Sequence, residues 1–202
     1  MRNLTETIRH RYDRIAPFFS RMDAMAKESW RKDLFSHVRG EILEVGVGTG
    51  ANLAYYPAGL HVTGIDFSPR MLSYARQKVS DCPADITLME MDIQALAFPD
   101  NTFDTVVSTC VFCSVPNPVE GLKEIRRVLK PDGQLLMIEH MLSEHGALAL
   151  LLHALNPLTV RLTGANVNRR TIENLDLAGF PTREIKNVAF FDVFRSIRAI
   201  PK

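Results

Sequence analysis

The sequence predicts an α/β chain, a doubly wound and mostly parallel sheet with helices on both faces. Three observations carry that prediction. Short apolar runs alternate with helical stretches from Glu41 onward, the rhythm of strand–helix–strand units. The first run, Glu41 to Val45, ends in a glycine turn, Gly46-Val-Gly-Thr-Gly50. Helix starts are marked by Ser68-Pro69 and Asn117-Pro118. Each pairs a capping side chain with a ring that presets the first helical φ. With 202 residues, 46% hydrophobic and 23% charged, the chain has material for one packed core and is read as a single domain, 1–202.

Residues 1–38 form the expected helical N-terminal cap. Ile8, Tyr12 and Ile15 recur at helical spacing, and Pro17 is expected to end that segment. A second helix is expected from about Met22 to Val38. Residues 39–140 form the expected core. Its strands are Glu41–Val45, His61–Ile65, Ile86–Met91, Phe103–Ser108 and Gln134–Ile138. Helices are expected from about Ala51, from Pro69, and from Pro118 to about Leu129. Pro131-Asp-Gly133 supplies the turn into the fifth strand. Residues 141–170 break the rhythm with two apolar helical pieces, around Ala147–Leu155 and Leu158–Leu162, split by Asn156-Pro157. In 171–202, Thr171 is expected to cap a helix reaching Ala178, before strands at Thr182–Asn187 and Val193–Ala199.

Composition narrows the function classes. Cys82, Cys110 and Cys113 are too few for a disulfide framework, so a reducing compartment is expected. The N-terminus is polar from Arg2 onward, without a signal-peptide core. The apolar stretch at Ala147–Leu155 is far short of the ~20 residues that span a bilayer. A cytoplasmic protein is expected, with peripheral membrane contact as an addition to that reading. The net charge of +1 is unevenly spread. Residues 1–40 carry nine Lys/Arg against five Asp/Glu, residues 41–140 seven against thirteen, and residues 141–202 eight against five. The basic ends are either ordinary scatter or a surface for anionic molecules or lipid.

The glycine turn carries the chemistry. Glycines let the backbone turn tightly and approach a ligand closely. The dinucleotide fingerprint is G-x-G-x-x-G, with a pyrophosphate on the helix that follows. Here the pattern is G-x-G-x-G with Glu44 two residues ahead. That acid would repel a pyrophosphate and suits a cofactor bearing an ammonium group, as S-adenosyl-L-methionine does. Asp66 ends the second strand, where a carboxylate can take two ribose hydroxyls. Asp92 ends the third strand and can accept from an adenine amino group. Thr109 ends the fourth, beside the crevice where open α/β sheets bind ligands. A nicotinamide-dependent oxidoreductase is the rival enzyme class. Nucleic acid is not an expected partner, because no basic, aromatic-rich module is present and the isoelectric point is only about 7.8.

In this order Glu44–Gly50, Gly64-Ile-Asp66, Met91-Asp92, Phe103-Asp104 and Leu129-Lys-Pro-Asp-Gly133 resemble the motifs of class I S-adenosylmethionine-dependent methyltransferases. The resemblance implies a Rossmann-like, seven-stranded sheet whose last strand is antiparallel. It implies a cofactor site of Glu44, Gly46, Gly48, Gly50, Asn52, Asp66, Phe67, Met71, Asp92, Ile93 and Thr109. Tyr12-Asp-Arg-Ile-Ala16 resembles the N-terminal motif of the ubiquinone/menaquinone C-methyltransferases and of bacterial phospholipid N-methyltransferases, although Phe19-Ser20 departs from its aromatic–acid ending. Gly48-Thr-Gly-Ala-Asn52, Tyr56-Pro57, Val62-Thr63, Cys113-Ser-Val-Pro-Asn117 and Glu139-His140 resemble the thiol S-methyltransferases. The implied acceptor is a small apolar or lipid-like molecule, with a thiol sulfur ahead of a phospholipid amine or a quinol carbon.

A sulfonium methyl is already activated, so alignment and exclusion of water carry the reaction. His140, just after the fifth strand, is the expected general base. Glu139 either orients it or caps the strand. Tyr12 is expected to close over the cofactor. No catalytic metal is expected, since Cys110 and Cys113 have no further ligands at suitable spacing. Arg169-Arg170 is either a contact for an anionic headgroup or a solvated pair. Residues 1–20 and 141–170 are expected to form an apolar lid.

Overall fold

The computed structural model describes residues 4–23 and 27–202. Helix α1 spans Leu4–Asp23 and α2 spans Glu28–Phe35. The sheet follows: β1 Ile42–Val45, β2 His61–Asp66, β3 Asp85–Glu90, β4 Phe103–Thr109, β5 Leu129–His140, β6 Thr182–Ala189 and β7 Phe194–Ile200. Helices α3 (Pro69–Arg76), α4 (Pro118–Val128), α5 (Gly146–Leu162) and α6 (Thr171–Ala178) connect them. The strand order is β3-β2-β1-β4-β5-β7-β6. All neighbours pair in parallel except β7, which is antiparallel to both β5 and β6. This is the expected seven-stranded sheet with its antiparallel last strand.

Side-chain alternation builds two cores from one sheet. Leu43, Val45, Val106, Leu135 and Met137 face one layer. Ile42, Val107, Leu136 and Ile138 face the other. The chain leaves β1 toward β2 and β3, then crosses to β4 on β1's far side. That reversal opens a crevice at the carboxyl ends of β1 and β4, the place where such sheets bind ligands.

Two of the three expected N-caps are present, at Ser68 and Asn117; Thr171 is instead the first residue of α6, after an N-cap at Arg170 that makes no side-chain cap bond. Ser68 Oγ accepts from the Met71 N–H at 3.1 Å, with Pro69 at the first position of α3. Asn117 Oδ1 accepts from Glu120 N–H ahead of α4. Gly179, at φ +89°, ends α6 in the left-handed turn that glycine favours.

Three further expectations need correction. No α-helix follows the glycine turn; Leu53–Tyr55 is a single 3-10 turn. Pro57 disfavours helical geometry at Tyr56, which is extended at ψ 128°. Pro17 does not end the first helix, which runs on to Asp23. Its tertiary anchors, buried Ile8 and Ala16, outweigh the lost backbone bond. Pro157 likewise lies within one continuous α5. There the Asn156 side chain accepts from Val167 N–H, and Arg11 donates to the Val160 carbonyl at 2.7 Å. The helix expected from Met22 to Val38 falls partly on residues 24–26, outside the described residues; its start belongs to α1, and the rest is α2, which ends at Phe35.

Candidate cofactor cleft

The crevice is a cleft of about 770 Å³, open mouth included, within the range of small-molecule sites. Its floor comes from the sheet edge: Gly46, Val47 and Gly48 after β1, Asp66 and Phe67 at the end of β2, Asp92 and Ile93 after β3, and Thr109 at the end of β4. Its roof comes from α1. Thr5, Tyr12 and Phe19, seven residues apart, put one helical stripe over the opening.

Gly46, Gly48 and Gly50 all hold positive φ, at +66°, +56° and +77°. Their roles differ. A Cβ on Gly46 would strike Val111, and one on Gly50 would strike Leu53 and the backbone of Ala75. A Cβ on Gly48 would make only ordinary contacts, with Phe19 at 3.6 Å across the opening and the Gly46 carbonyl at 3.9 Å. Gly48 therefore leaves a space that a ligand can occupy, whereas Gly50 serves packing and does not line the cleft.

Asp66 is almost fully buried, and its two oxygens take different backbone donors. Oδ2 accepts from Gly48 N–H at 2.9 Å and Oδ1 from Ser68 N–H at 2.8 Å. The carboxylate thus ties the glycine turn to β2 at the edge of the cleft. Ser68 Oγ donates to Asp13 of α1 at 2.6 Å, which clips the roof to the same corner. Asp92 Oδ1 accepts from the Gln94 N–H at 2.9 Å, and the Gln94 amide bonds both oxygens at 3.1 Å.

Glu44 is fully buried and does not line the cleft. Its oxygens accept from Asn52 Nδ2 at 2.7 Å and from the Tyr56 hydroxyl at 2.9 Å. Asn52 also donates to Thr109 Oγ1 at 2.8 Å and accepts from Arg31 Nε at 2.8 Å. The negative charge therefore stands behind Asn52 and Thr109, which are the groups that face the ligand space.

Tyr12 lines the cleft with its ring 5.7 Å from Phe19 and 5.8 Å from Phe67. Burial, and then the neighbouring Cys113 and Asp66, push its phenol above the ordinary tyrosine range against a hydrogen bond with Ser114, so it stays neutral. His140 is placed elsewhere. It is absent from the cleft lining and its ring lies 5.7 Å from Phe194. Burial, and then the positive Arg169, push it down to about 4. The expected general base therefore does not reach the ligand space. Glu139, also off the cleft, accepts through Oε1 from Ser108 Oγ and from the N–H groups of Val111 and Phe112. It fixes the loop that forms the cleft wall.

Sequence reasoning missed most of that wall. Cys110, Val111, Ser114, Val115 and Pro116 all line the cleft, as do Met91 and Gln94. The signal available was position: five of them follow a strand that ends at the ligand edge. Cys110 holds φ +55°, an uncommon conformation for a non-glycine residue and one often found at ligand sites. Nothing from residues 141–170 lines the cleft, so the roof is α1 alone among the described residues. No group of three or more metal-ligating side chains occurs among them.

The residues fit S-adenosyl-L-methionine. A glycine gap lies beside the opening, carboxylates stand at the ends of β2 and β3, and an acid-backed Asn52–Thr109 pair can face an ammonium group. A family model described as a methyltransferase domain matches residues 43–137. The phosphatidylethanolamine N-methyltransferase of Cereibacter sphaeroides is 41% identical over 133 residues, 63% of this chain and 66% of that one. A thiol S-methyltransferase of Rattus norvegicus is 33% identical over 168 residues, 76% of this chain and 68% of that one. The chain spans about two thirds or less of the length of most of the curated relatives it matches. A methyltransferase structure from Thermotoga maritima superposes with a TM-score of 0.73 at 20% identity, covering 96% of this chain and 99% of that one. At that identity the superposition speaks for the fold.

Proposed function

Because the chain belongs to the class I S-adenosylmethionine-dependent methyltransferases, we propose that it methylates the amine of a small lipid-like acceptor of the phosphatidylethanolamine class. The bound cofactor supplies an activated methyl on a sulfonium. The amine lone pair forms the new N–C bond, the S–C bond breaks, sulfur leaves neutral, and the N–H proton passes to solvent. The chain's own part is to hold and exclude: Asp66 and Asp92 position, and Tyr12 and Phe19 cover the reacting end.

The observation that carries this reading is the make-up of the cleft. Its acids, Asp66 and Asp92, already accept from backbone N–H groups. Aromatic rings line it above and below: Tyr12 and Phe19 from the roof and Phe67 from the floor. A carbon acceptor needs a strong base, which this lining does not offer. An amine needs none stronger than water once deprotonated, and its methylated ammonium product is attracted to ring faces. The 41% identity with a phosphatidylethanolamine enzyme supports the same choice over the thiol expected from sequence.

The thiol is the second reading, favoured by the longer match to the thiol S-methyltransferase. A free thiol near ~8.5 also ionises readily. The test is transfer of labelled methyl to phosphatidylethanolamine vesicles, a short alkylthiol and a demethylated quinol, side by side. Label should enter the phospholipid amine first. Label in the thiol alone, or in the quinol alone, overturns the amine reading.

A further inference from the structure

Helix α5 leaves a large apolar surface uncovered. Leu151, Leu155, Leu158 and Leu162 recur four, three and four residues apart, so they form one stripe. Together with Leu150 they are 42–72% exposed, and no residue of α5 is buried. The turn between β6 and β7 adds Phe190 and Phe191, at 69% and 79% exposed. Both hold positive φ, +48° and +61°, where turns favour Gly, Asn or Asp and bulky side chains are rare. An exposed aromatic pair kept at a strained turn points to a use for the rings.

The two patches are one surface. Buried Asp192, in the same turn, accepts from the Ser143 hydroxyl and from the Glu144 N–H at 2.6 Å. Arg195 joins Asp192 to Glu144 at 3.1 and 2.8 Å. The Phe191 ring lies 5.7 Å from His145, the residue before α5. The turn and the start of the helix are thus pinned together.

We propose that this face docks on an anionic bilayer, with α5 lying in the plane of the interface and Phe190 and Phe191 inserted beside it. Charge selects the occupant. Helix α5 carries Arg161 and no acid. Residues 141–202, which contain both patches, carry eight Lys/Arg against five Asp/Glu, and the Arg11 contact to Val160 holds α1 against the opposite side of α5 from the leucine stripe. A second copy docked on the same face would oppose like charges, whereas anionic headgroups neutralise them. Geometry sets the orientation. At ~1.5 Å per residue α5 is about 25 Å long, it carries His153, Asn156 and Arg161, and no described helix is long and apolar enough to cross a membrane. A helix this apolar and too short to span, with its leucines exposed, lies along the interface rather than across it. The inference stands on this surface and not on the identity of the methyl acceptor.

The test is flotation of the full chain with vesicles of phosphatidylcholine alone and of phosphatidylcholine doped with phosphatidylglycerol. Two variants accompany it: Phe190→Gly with Phe191→Gly, which suits the positive φ, and Leu155→Glu. The wild type should float with the doped vesicles, and each variant should weaken that partition about tenfold or more. Calorimetric cofactor binding should be unchanged in both, which separates this outcome from any failure of the methyltransferase reading. Absence of wild-type flotation overturns the proposal, as does equal flotation of the double glycine variant. A dimer in solution that these variants dissociate, without vesicle binding, would give the face to a second copy instead.

Discussion

Glu139 and His140 are neighbours at the end of β5, and burial moves both toward their neutral forms. Burial raises Glu139 to about 7, against the bonds from Val111, Phe112 and Ser108 that favour its charge. Burial, helped by Arg169, lowers His140 to about 4. The pH consequences have opposite signs. Glu139 binds its proton more tightly folded than unfolded, so its contribution is full below pH 4.5 and is lost as pH rises through 7. His140 binds its proton less tightly folded, so its contribution is full above pH 6.5 and is lost as pH falls through 4. Each amounts to on the order of 3 kcal/mol. Between these limits the slopes oppose. Denaturant titrations across pH 4.5–6.5 should find Glu139→Gln steepening the rise of stability with pH relative to wild type, and His140→Asn turning it toward a fall. Parallel profiles for the two variants would refute the assignment. At this scale the sequence marked which residue types end each strand. It could not tell that Glu44 lies behind Asn52, or that His140 turns to Phe194, because those depend on which neighbours take the space at the sheet edge.

At the scale of elements, punctuation was readable and tolerance was not. Ser68 and Asn117 mark helix starts because their side chains satisfy terminal backbone groups locally, whereas Thr171, read the same way, lies inside α6 and caps nothing. Pro17 and Pro157 mislead because the cost of a helix-interior proline, ~3 kcal/mol, is met by contacts distant in sequence. For α1 these include Asp13 accepting from Ser68 and buried Ile8 and Ala16. The absent helix after Gly50 misleads for the converse reason. Tyr56 is drawn into the core, where it donates to Glu44. Pro17 lies between Tyr12 and Phe19, the two aromatic residues of the roof. Pro17→Ala should therefore stabilise the chain by up to about 3 kcal/mol in chemical denaturation, and slow hydrogen exchange across α1. Closing the missing backbone bond should also shift Phe19 relative to Gly48 and weaken cofactor affinity. Greater stability with undiminished affinity would show that Pro17 has no part in shaping the roof.

At the scale of the molecule, the cleft lies where three parts meet: the switch point of the sheet, the loop after β4, and the cap helix. A ligand held there contacts all of them, so its binding free energy becomes stability of the whole fold. Ligand at a hundredfold excess over its dissociation constant contributes about 2.7 kcal/mol. For a domain of this size that is a rise of roughly 5–11 °C in Tm. S-adenosyl-L-methionine and its demethylated product should give that shift, and NAD should give none. The shift should persist after extensive chelation, because the polar groups lining the cleft are carboxylates, amides and hydroxyls with the one thiol of Cys110. Tyr12→Ala should reduce it without lowering the unliganded Tm by a comparable amount, since Tyr12 lines an open cleft. A full shift in Tyr12→Ala would place the cofactor on the sheet edge alone and remove α1 from the site. A shift abolished by chelation and restored by one divalent ion would replace the metal-free reading with a metal-dependent one.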